Sequence, residues 1–262
     1  MSDSRKYTSK LQNSRILIFG GSSGIGFAAA EAVLENGAIV FISSSSQTRV
    51  DDAVARIQRA YPSMKENVKG IVCNLGSEDM EQNIVAAFKE STKEGQLDHV
   101  IHTAGDSLAM LPLKDLTLDS IRKAGNVRFF SPLILAKHLP TYLNAGPQSS
   151  LTLTTGSVAE KPMPNWSVVA SYAGGLHSMT RNLALDLKPI RVNLVSPGAI
   201  DTELWKDMDP EQKEGMFKSI EGKVLTGRVG KPEDVAEQYL CLLRDGNVTG
   251  SVVHSDGGHA LV

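Results

Sequence analysis

Arg15–Ala30 reads RILIFGGSSGIGFAAA, and the order of its parts gives the glycines their meaning. Ile16–Phe19 is a short apolar run with the length and composition of a buried parallel strand. It passes directly into Gly20, Gly21, Ser22, Ser23, Gly24, Ile25 and Gly26, then into an alanine-rich helical stretch. Gly20 permits a tight turn off the strand, Gly24 lets a pyrophosphate approach the backbone, and Gly26 lets the helix pack on the sheet. The free N–H groups of the first helical turn, at Ser22, Ser23, Gly24 and Ile25 onward, then face the anion. A glycine string alone is a common turn. Set between a strand and a helix near the start of a long chain, it predicts dinucleotide binding.

The rest of the composition agrees. A chain of 262 residues supports one α/β domain with a large core, and no linker divides it. A formal net charge of −2 argues against a polyanion-binding surface, so nucleic acid is not an expected partner. Cys73 and Cys241, the two cysteines, sit in apolar settings without metal-ligand spacing; both are expected to be buried, with no disulfide and no metal. No apolar run reaches membrane-spanning length and the first 14 residues are polar, without a signal-peptide core, so no membrane partner and a soluble, cytoplasmic protein are expected.

Residues 1–14 read as a polar, loosely ordered lead-in to a domain covering 15–262. A second strand is expected over Ala38–Ser43. In dinucleotide folds the tip of that strand selects the cofactor, because a carboxylate there binds the ribose hydroxyls of NAD and repels the 2′-phosphate of NADP. Here the tip runs Ser43, Ser44, Ser45, Ser46, Gln47, Thr48, Arg49, with hydroxyls and one guanidinium but no carboxylate, a pattern that favours NADP(H). The competing reading is a solvated serine loop with Arg49 in water. Helices are expected over Val50–Ala60 and Ser77–Glu94. A strand over Val68–Cys73 should end at an adenine position, Asn74 and Leu75, and a strand over His99–His102 leads to Thr103, Ala104 and Gly105. Alternation of strands and helices implies a doubly wound parallel sheet, a Rossmann-type α/β fold, covered on both faces.

These motifs together resemble the short-chain dehydrogenase/reductase family over nearly the whole chain. The family's glycine motif falls on Gly20–Gly26. Its Asn-Asn-Ala-Gly motif appears as His102, Thr103, Ala104, Gly105, losing both asparagines. Asn126 matches the helical asparagine of the family's proton relay, and Ser157, at the end of the strand from Leu151, matches its active-site serine. Pro197 and Gly198 match the turn that cradles the nicotinamide, followed by Ile200 and by Thr202 at the carboxamide position. Gly227, Arg228, Pro232–Asp234, Thr249, Gly250 and Asp256–Gly258 follow at family spacing. The resemblance implies a homodimer or homotetramer, and a mobile substrate flap over 201–223, whose Leu204, Trp205, Met208, Met216 and Phe217 suit a bulky apolar molecule.

The departure lies in Trp166–His177. The family reduces carbonyls with a Tyr-x-x-x-Lys pair, one helical turn apart, in which the lysine lowers the tyrosine's pKa and the tyrosine protonates the alkoxide. Anchoring on Tyr172 puts Leu176 at the lysine position. Anchoring on the long gap-free match that begins at Leu176 puts Val169 at the tyrosine and Ala173 at the lysine, and this alignment is preferred. Either way the turn has no lysine. Tyr172 is then either a shifted acid or a packing aromatic, Ser157 either a substrate hydrogen-bonder or a strand-end serine satisfied by backbone, and Asn126 either a relay member or a helix-kinking residue.

Hydride transfer needs only a positioned nicotinamide and an electrophile. What the missing pair would supply is a proton. An iminium ion becomes a neutral amine on taking hydride and needs none, so the chemistry points to imine, iminium or conjugated-carbonyl reduction. A non-redox cyclase or isomerase, or a cofactor-binding pseudoenzyme, is the alternative. The chain also resembles the divergent fungal NADPH-dependent reductases that guide a Diels–Alder cyclisation and similarly lack the Tyr-Lys pair. The likeness lies in Arg128, Phe129 and Phe130, in Leu151–Thr154, and in Trp166 after a proline-rich turn. Met163 stands where their acidic residue would. On this resemblance Arg128 is a candidate for holding an anionic or carbonyl substrate group, or else an interface guanidinium. Trp166 is a candidate for stacking on substrate. Glu160 is the nearest carboxylate after Ser157, and His102 is expected to pack beside the cofactor.

Overall fold

Ile16, Leu17, Ile18 and Phe19 are all fully buried, as a strand covered on both faces must be. The computed structural model describes residues 6–262. In chain order the elements are β1 (Arg15–Phe19), α1 (Gly24–Glu35), β2 (Ile39–Ser44), α2 (Gln47–Ala60), β3 (Val68–Val72), α3 (Met80–Ser91), β4 (His99–His102), α4 (Leu118–Gly125), α5 (Ser131–Tyr142), β5 (Ser150–Thr154), α6 (Ser167–Asp186), β6 (Arg191–Pro197), α7 (Pro210–Glu221), α8 (Pro232–Arg244) and β7 (Val252–Ser255). All the strands pair in parallel, in the order β3-β2-β1-β4-β5-β6-β7. The expected fold class is the one observed.

Successive strand residues point to opposite faces, and this splits the core in two. Leu17 and Phe19 join Ile84 and Phe88 of α3, Leu135 and Leu139 of α5, and Leu176 and Leu183 of α6. Ile16 and Ile18 join Val33 of α1, Ile57 of α2, and Val235 and Tyr239 of α8. Arg191, buried at the start of β6, donates to the main-chain carbonyls of Pro147, Leu242, Leu243 and Val248. It thereby fastens the end of α8 to the sheet.

Strand order reverses beside β1, whose neighbours are β2 and β4. The crevice at the carboxyl ends of these strands is where such sheets take their ligands. Loops carrying Gly20, Ser45, Thr103, Ser157 and Gly198 all leave the sheet at that end.

Several expectations are corrected. Within the lead-in, Leu11 is buried in the core beside α1 and Ala38, Asn13 N–H donates to the Gly37 carbonyl, and Lys10 Nζ donates to the Arg244 carbonyl. One buried apolar residue and these two hydrogen bonds pin this stretch; Met1–Arg5 lie outside the described residues. Cys73 is buried, but Cys241 is exposed on α8, because the helix turns that position away from Leu240 and Leu242, which pack inward. Helix α2 starts at Gln47, three residues early, and α3 is trimmed to Met80–Ser91. Ser157 does not end β5. It lies one turn beyond, in a 3-10 turn over Ser157–Ala159. Among the described residues no helix is long and apolar enough to cross a membrane.

Candidate active site

The loop from Gly20 to Gly26 is shaped by contact on all sides. Gly20 has φ +87°, and a Cβ there would stand 2.5 Å from the Ala104 nitrogen. One on Gly26 would stand 2.3 Å from the Gly20 carbonyl oxygen and 2.3 Å from Thr103 Oγ1. Thr103 takes the place of an asparagine by donating both N–H and Oγ1–H to the Phe19 carbonyl (2.9 and 3.0 Å), which clamps the end of β4 to the end of β1. Gly20 and Gly21 donate N–H to the Ser43 carbonyl. Helix α1 begins at Gly24 with no acidic residue in its first turn, and its cap residue Ser23 makes no side-chain cap bond. Its first N–H groups and Gly24, at φ +51° beneath the Thr202 methyl, form a backbone cradle that suits a pyrophosphate.

At the tip of β2, Ser22 Oγ–H donates to Ser44 Oγ (2.9 Å), while Ser43 Oγ is buried and has no partner among the described residues. Ser45 is exposed. Because α2 starts early, Arg49 lies in its first turn rather than in a loop. It is exposed and makes no ion pair or hydrogen bond among the described residues. A free guanidinium, a helix N-terminus whose cap Ser46 makes no side-chain bond, and no nearby carboxylate in that first turn fit a phosphate. At the end of β3, Asn74 folds back on itself: Oδ1 accepts from Gly76 N–H and its carbonyl accepts from Ser77 and Asn83. Leu75 is buried in the core, so its side chain is not part of an adenine surface. On the opposite wall, Gly198 lies so close to Asp256 that a Cβ would sit 2.9 Å from the Asp256 Cα. Ile200 is buried beside it and Thr202 Oγ1 caps the next turn by accepting from Leu204 N–H.

The helical wall is rebuilt. Between α4 and α5 the helix widens into a π turn, Asn126–Phe130, a bulge type frequent at functional sites. The Asn126 carbonyl accepts from Ser131 N–H across it, and the Asn126 side chain makes no hydrogen bond among the described residues. The bulge turns Arg128 onto Gly105, where its guanidinium lies 2.7 Å from where a Cβ would be. Arg128 Nε–H donates to Asp106 Oδ1 (3.2 Å) and Nη2–H to the Asp106 carbonyl. Burial pulls this guanidinium below its ordinary range and the Asp106 carboxylate opposes the shift. Arg128 thus stands beside the Thr103–Gly105 turn rather than loose on the surface. Asp106 was not singled out from sequence.

Of the two readings of Tyr172, the structure shows the packing aromatic. Its hydroxyl donates to the Ile121 carbonyl at 3.0 Å, and its ring is enclosed by Phe129, Phe130 and Gly125. With its proton committed to a main-chain acceptor, it packs the π turn and is not a shifted acid. His102 is fully buried and its Nε2 lies 2.8 Å from Ser131 Oγ. Because Ser131 donates its own proton to the Val127 carbonyl, His102 must be the donor, with the proton on Nε2. Burial holds its pKa at about 4, a neutral tether between β4 and α5. Ala173 of α6 has its carbonyl bonded by Thr155 Oγ1–H at 2.9 Å, so the turn bearing Val169 and Ala173 lies against the end of β5.

Ser157 is buried, and its Oγ lies 3.1 Å from His259 Nδ1. Lys161 Nζ donates to the His259 carbonyl at 3.2 Å. Burial lowers the His259 pKa, Lys161 and Lys223 lower it further, and Asp256 opposes. Glu160 Oε2 lies 3.3 Å from His254 Nδ1. Sequence reasoning missed His259. The only signal was its place directly after Asp256–Gly258. Trp166 sits half-buried at the start of α6, after Asn165 in a left-handed conformation at φ +66°. In the 201–223 flap, Trp205 Nε1–H donates to the Ile200 carbonyl (2.8 Å) and its ring meets Phe217 edge-on. Lys213 covers Phe217 and bonds Asp201. Trp205 therefore braces the flap against its own base, and Leu204 is the exposed apolar residue there.

Comparison with known proteins agrees with this geometry. The SDR-like Rossmann domain profile matches residues 7–262. The short-chain dehydrogenase/reductase fsr5 of Gibberella fujikuroi is 48% identical, over 98% of each chain. The structure of the MalC reductase/Diels-Alderase from Malbranchea aurantiaca superposes with a TM-score of 0.93 at 37% identity, covering 98% of this chain and 100% of that one. A small-chain dehydrogenase in complex with NADPH superposes with a TM-score of 0.78 at 26% identity, over 96% and 100% of the two chains.

Proposed function

The chain belongs to the short-chain dehydrogenase/reductase family, and within it we propose an NADP(H)-dependent reductase of a bulky small-molecule metabolite, with an imine, iminium or conjugated carbonyl as the reducible group. One observation carries the choice of substrate class: the α6 turn against the end of β5 offers Val169 and Ala173, and neither side chain can move a proton. A reduction run by this wall must take an electrophile that already bears its positive charge, or find its proton elsewhere. The relation to fungal reductases such as fsr5 and MalC supports a role in secondary metabolism.

NADPH, when bound, supplies the hydride. The chain's own residues do the rest. The Gly20–Gly26 cradle and the α1 N-terminus receive the pyrophosphate, Ser45 and Arg49 the 2′-phosphate, and Pro197, Gly198, Ile200 and Thr202 the nicotinamide end. Arg128, kept charged by Asp106, orients a substrate oxygen or carboxylate. Trp166 stacks on its ring system, and the flap excludes water. Two free cysteines are in keeping with a cytoplasmic setting.

Calorimetry with NADPH and NADH tests the cofactor half of this reading. NADPH should bind more tightly than NADH, and Arg49→Ala should weaken NADPH by about tenfold or more, the loss of one charge-assisted bond, while leaving NADH binding unaltered. Equal affinity for both cofactors in the wild type would overturn it.

A further inference from the structure

His259 reaches Ser157 from 102 residues away, and the turn that carries it is built to hold it there. Gly257 and Gly258 adopt φ +65° and +80°, a conformation open to glycine. The Asp256 carboxylate staples the turn, accepting Gly258 N–H at one oxygen and Ala260 N–H at the other. Lys161, from the segment after β5, grips the His259 carbonyl. The Asp256 staple and the Lys161 grip thus hold one imidazole against a buried serine hydroxyl beside the wall where Val169 and Ala173 supply no proton.

We infer that Ser157 and His259 form a proton-delivery pair in which His259, acting through Ser157, is the proton source for reduction. The inference rests on the reductase reading above. In the step, hydride reaches the substrate carbon, and the C=O or C=N π pair moves onto oxygen or nitrogen. That atom takes the Ser157 O–H proton. Ser157 Oγ takes the Nδ1 proton of the imidazolium, which is left neutral and is reprotonated by solvent. Hydride plus one proton balances the reduction to alcohol or amine. Only a ring with a proton on Nδ1 can donate to Ser157 Oγ, and the imidazolium carries one there whichever tautomer the neutral ring adopts, so delivery belongs to the protonated ring. The charged groups facing the ring are Lys161, Lys223 from the segment after α7, and Asp256 in its own turn, the first two disfavouring protonation and the last favouring it. The net lowering makes the imidazolium a stronger acid than a free histidine, so turnover should rise as pH falls through a value below 6.5.

Two measurements test this. In the cofactor-free protein, nitrogen NMR of labelled histidines, with His259 assigned from its absence in His259→Gln, should show Nδ1 titrating below 6.5 and displaced by Ser157→Ala. An ordinary titration indifferent to Ser157→Ala would overturn the pair. In turnover, a panel of neutral cyclic imines and enones, beginning with dihydroisoquinoline and cyclohexenone, is compared with N-methyl iminium cations, which need no proton. His259→Gln keeps a hydrogen-bonding side chain but cannot titrate. It should lower the ratio of neutral to cationic turnover by about a hundredfold, the low end of a positioned acid's contribution, and flatten the acid rise. A ratio and pH profile like those of the wild type would overturn the inference and leave the reductase reading standing. Wild-type protein that binds NADPH yet reduces nothing in either set would overturn the reductase reading and this inference with it.

Discussion

A Cβ on Gly26 would stand 2.3 Å from the Gly20 carbonyl oxygen, a main-chain atom that cannot swing aside as a flexible side chain would. Gly26→Ala must therefore push α1 off the sheet or reshape the cradle. It should cost about 1–3 kcal/mol by urea unfolding and lower NADPH affinity in the same protein. By contrast, Gly215 has open space around it. Glycines of very different consequence look alike as letters; what marks Gly20, Gly24 and Gly26 in the sequence is their spacing between a strand and a helix. The same scale shows where letters mislead. Tyr172, three residues from Val169, reads in sequence either as a shifted acid or as a packing aromatic, and its hydroxyl is spent on Ile121. Where a phenol points is set by neighbours from another helix.

At the level of elements, β4 carries a buried histidine at each end, His99 bonded to Ser150 of β5 and His102 to Ser131 of α5. Burial lowers their pKa values to about 3 and about 4, below the ordinary 6.5, so the folded state binds fewer protons than the unfolded one. Their contribution is whole above 6.5 and is lost as pH falls from there toward 4 and 3. Each histidine adds up to about 1.4 kcal/mol per pH unit of slope. Urea midpoints measured from about pH 7 to about pH 5 should fall steeply, and His102→Asn should remove about half of that histidine-derived slope; a slope unaltered by the substitution would count against a neutral buried His102. Helix α2 makes a related point. Its early start moves Arg49 from loop to helix, because helical ends depend on capping and packing and not on the apolar pattern that announces the middle.

Seen whole, the sheet ends at β7, an edge strand only half buried along Val252–Ser255, with Leu261 exposed just beyond it at 80%. An uncovered edge with apolar residues beside it is a template for another chain. The family resemblance implies a homodimer or homotetramer, and we propose that two copies meet at this edge; sedimentation should show a dimer or tetramer, and a charged pair, Leu261→Lys with Val262→Lys, both exposed, should shift it to monomer without unfolding it. The parallel sheet covered on both faces and the glycine cradle were readable from residues alone, since strand burial, helical period and the sterics of a missing Cβ are each expressed within a few neighbouring positions. The missing lysine was readable for the same reason. What only the tertiary structure decided is who meets whom: Arg128 with Asp106, His102 with Ser131, and above all Ser157 with His259. These contacts join segments 22, 29 and 102 residues apart, and no local pattern encodes them, because they exist only once the crossovers of the sheet have brought the strand ends together.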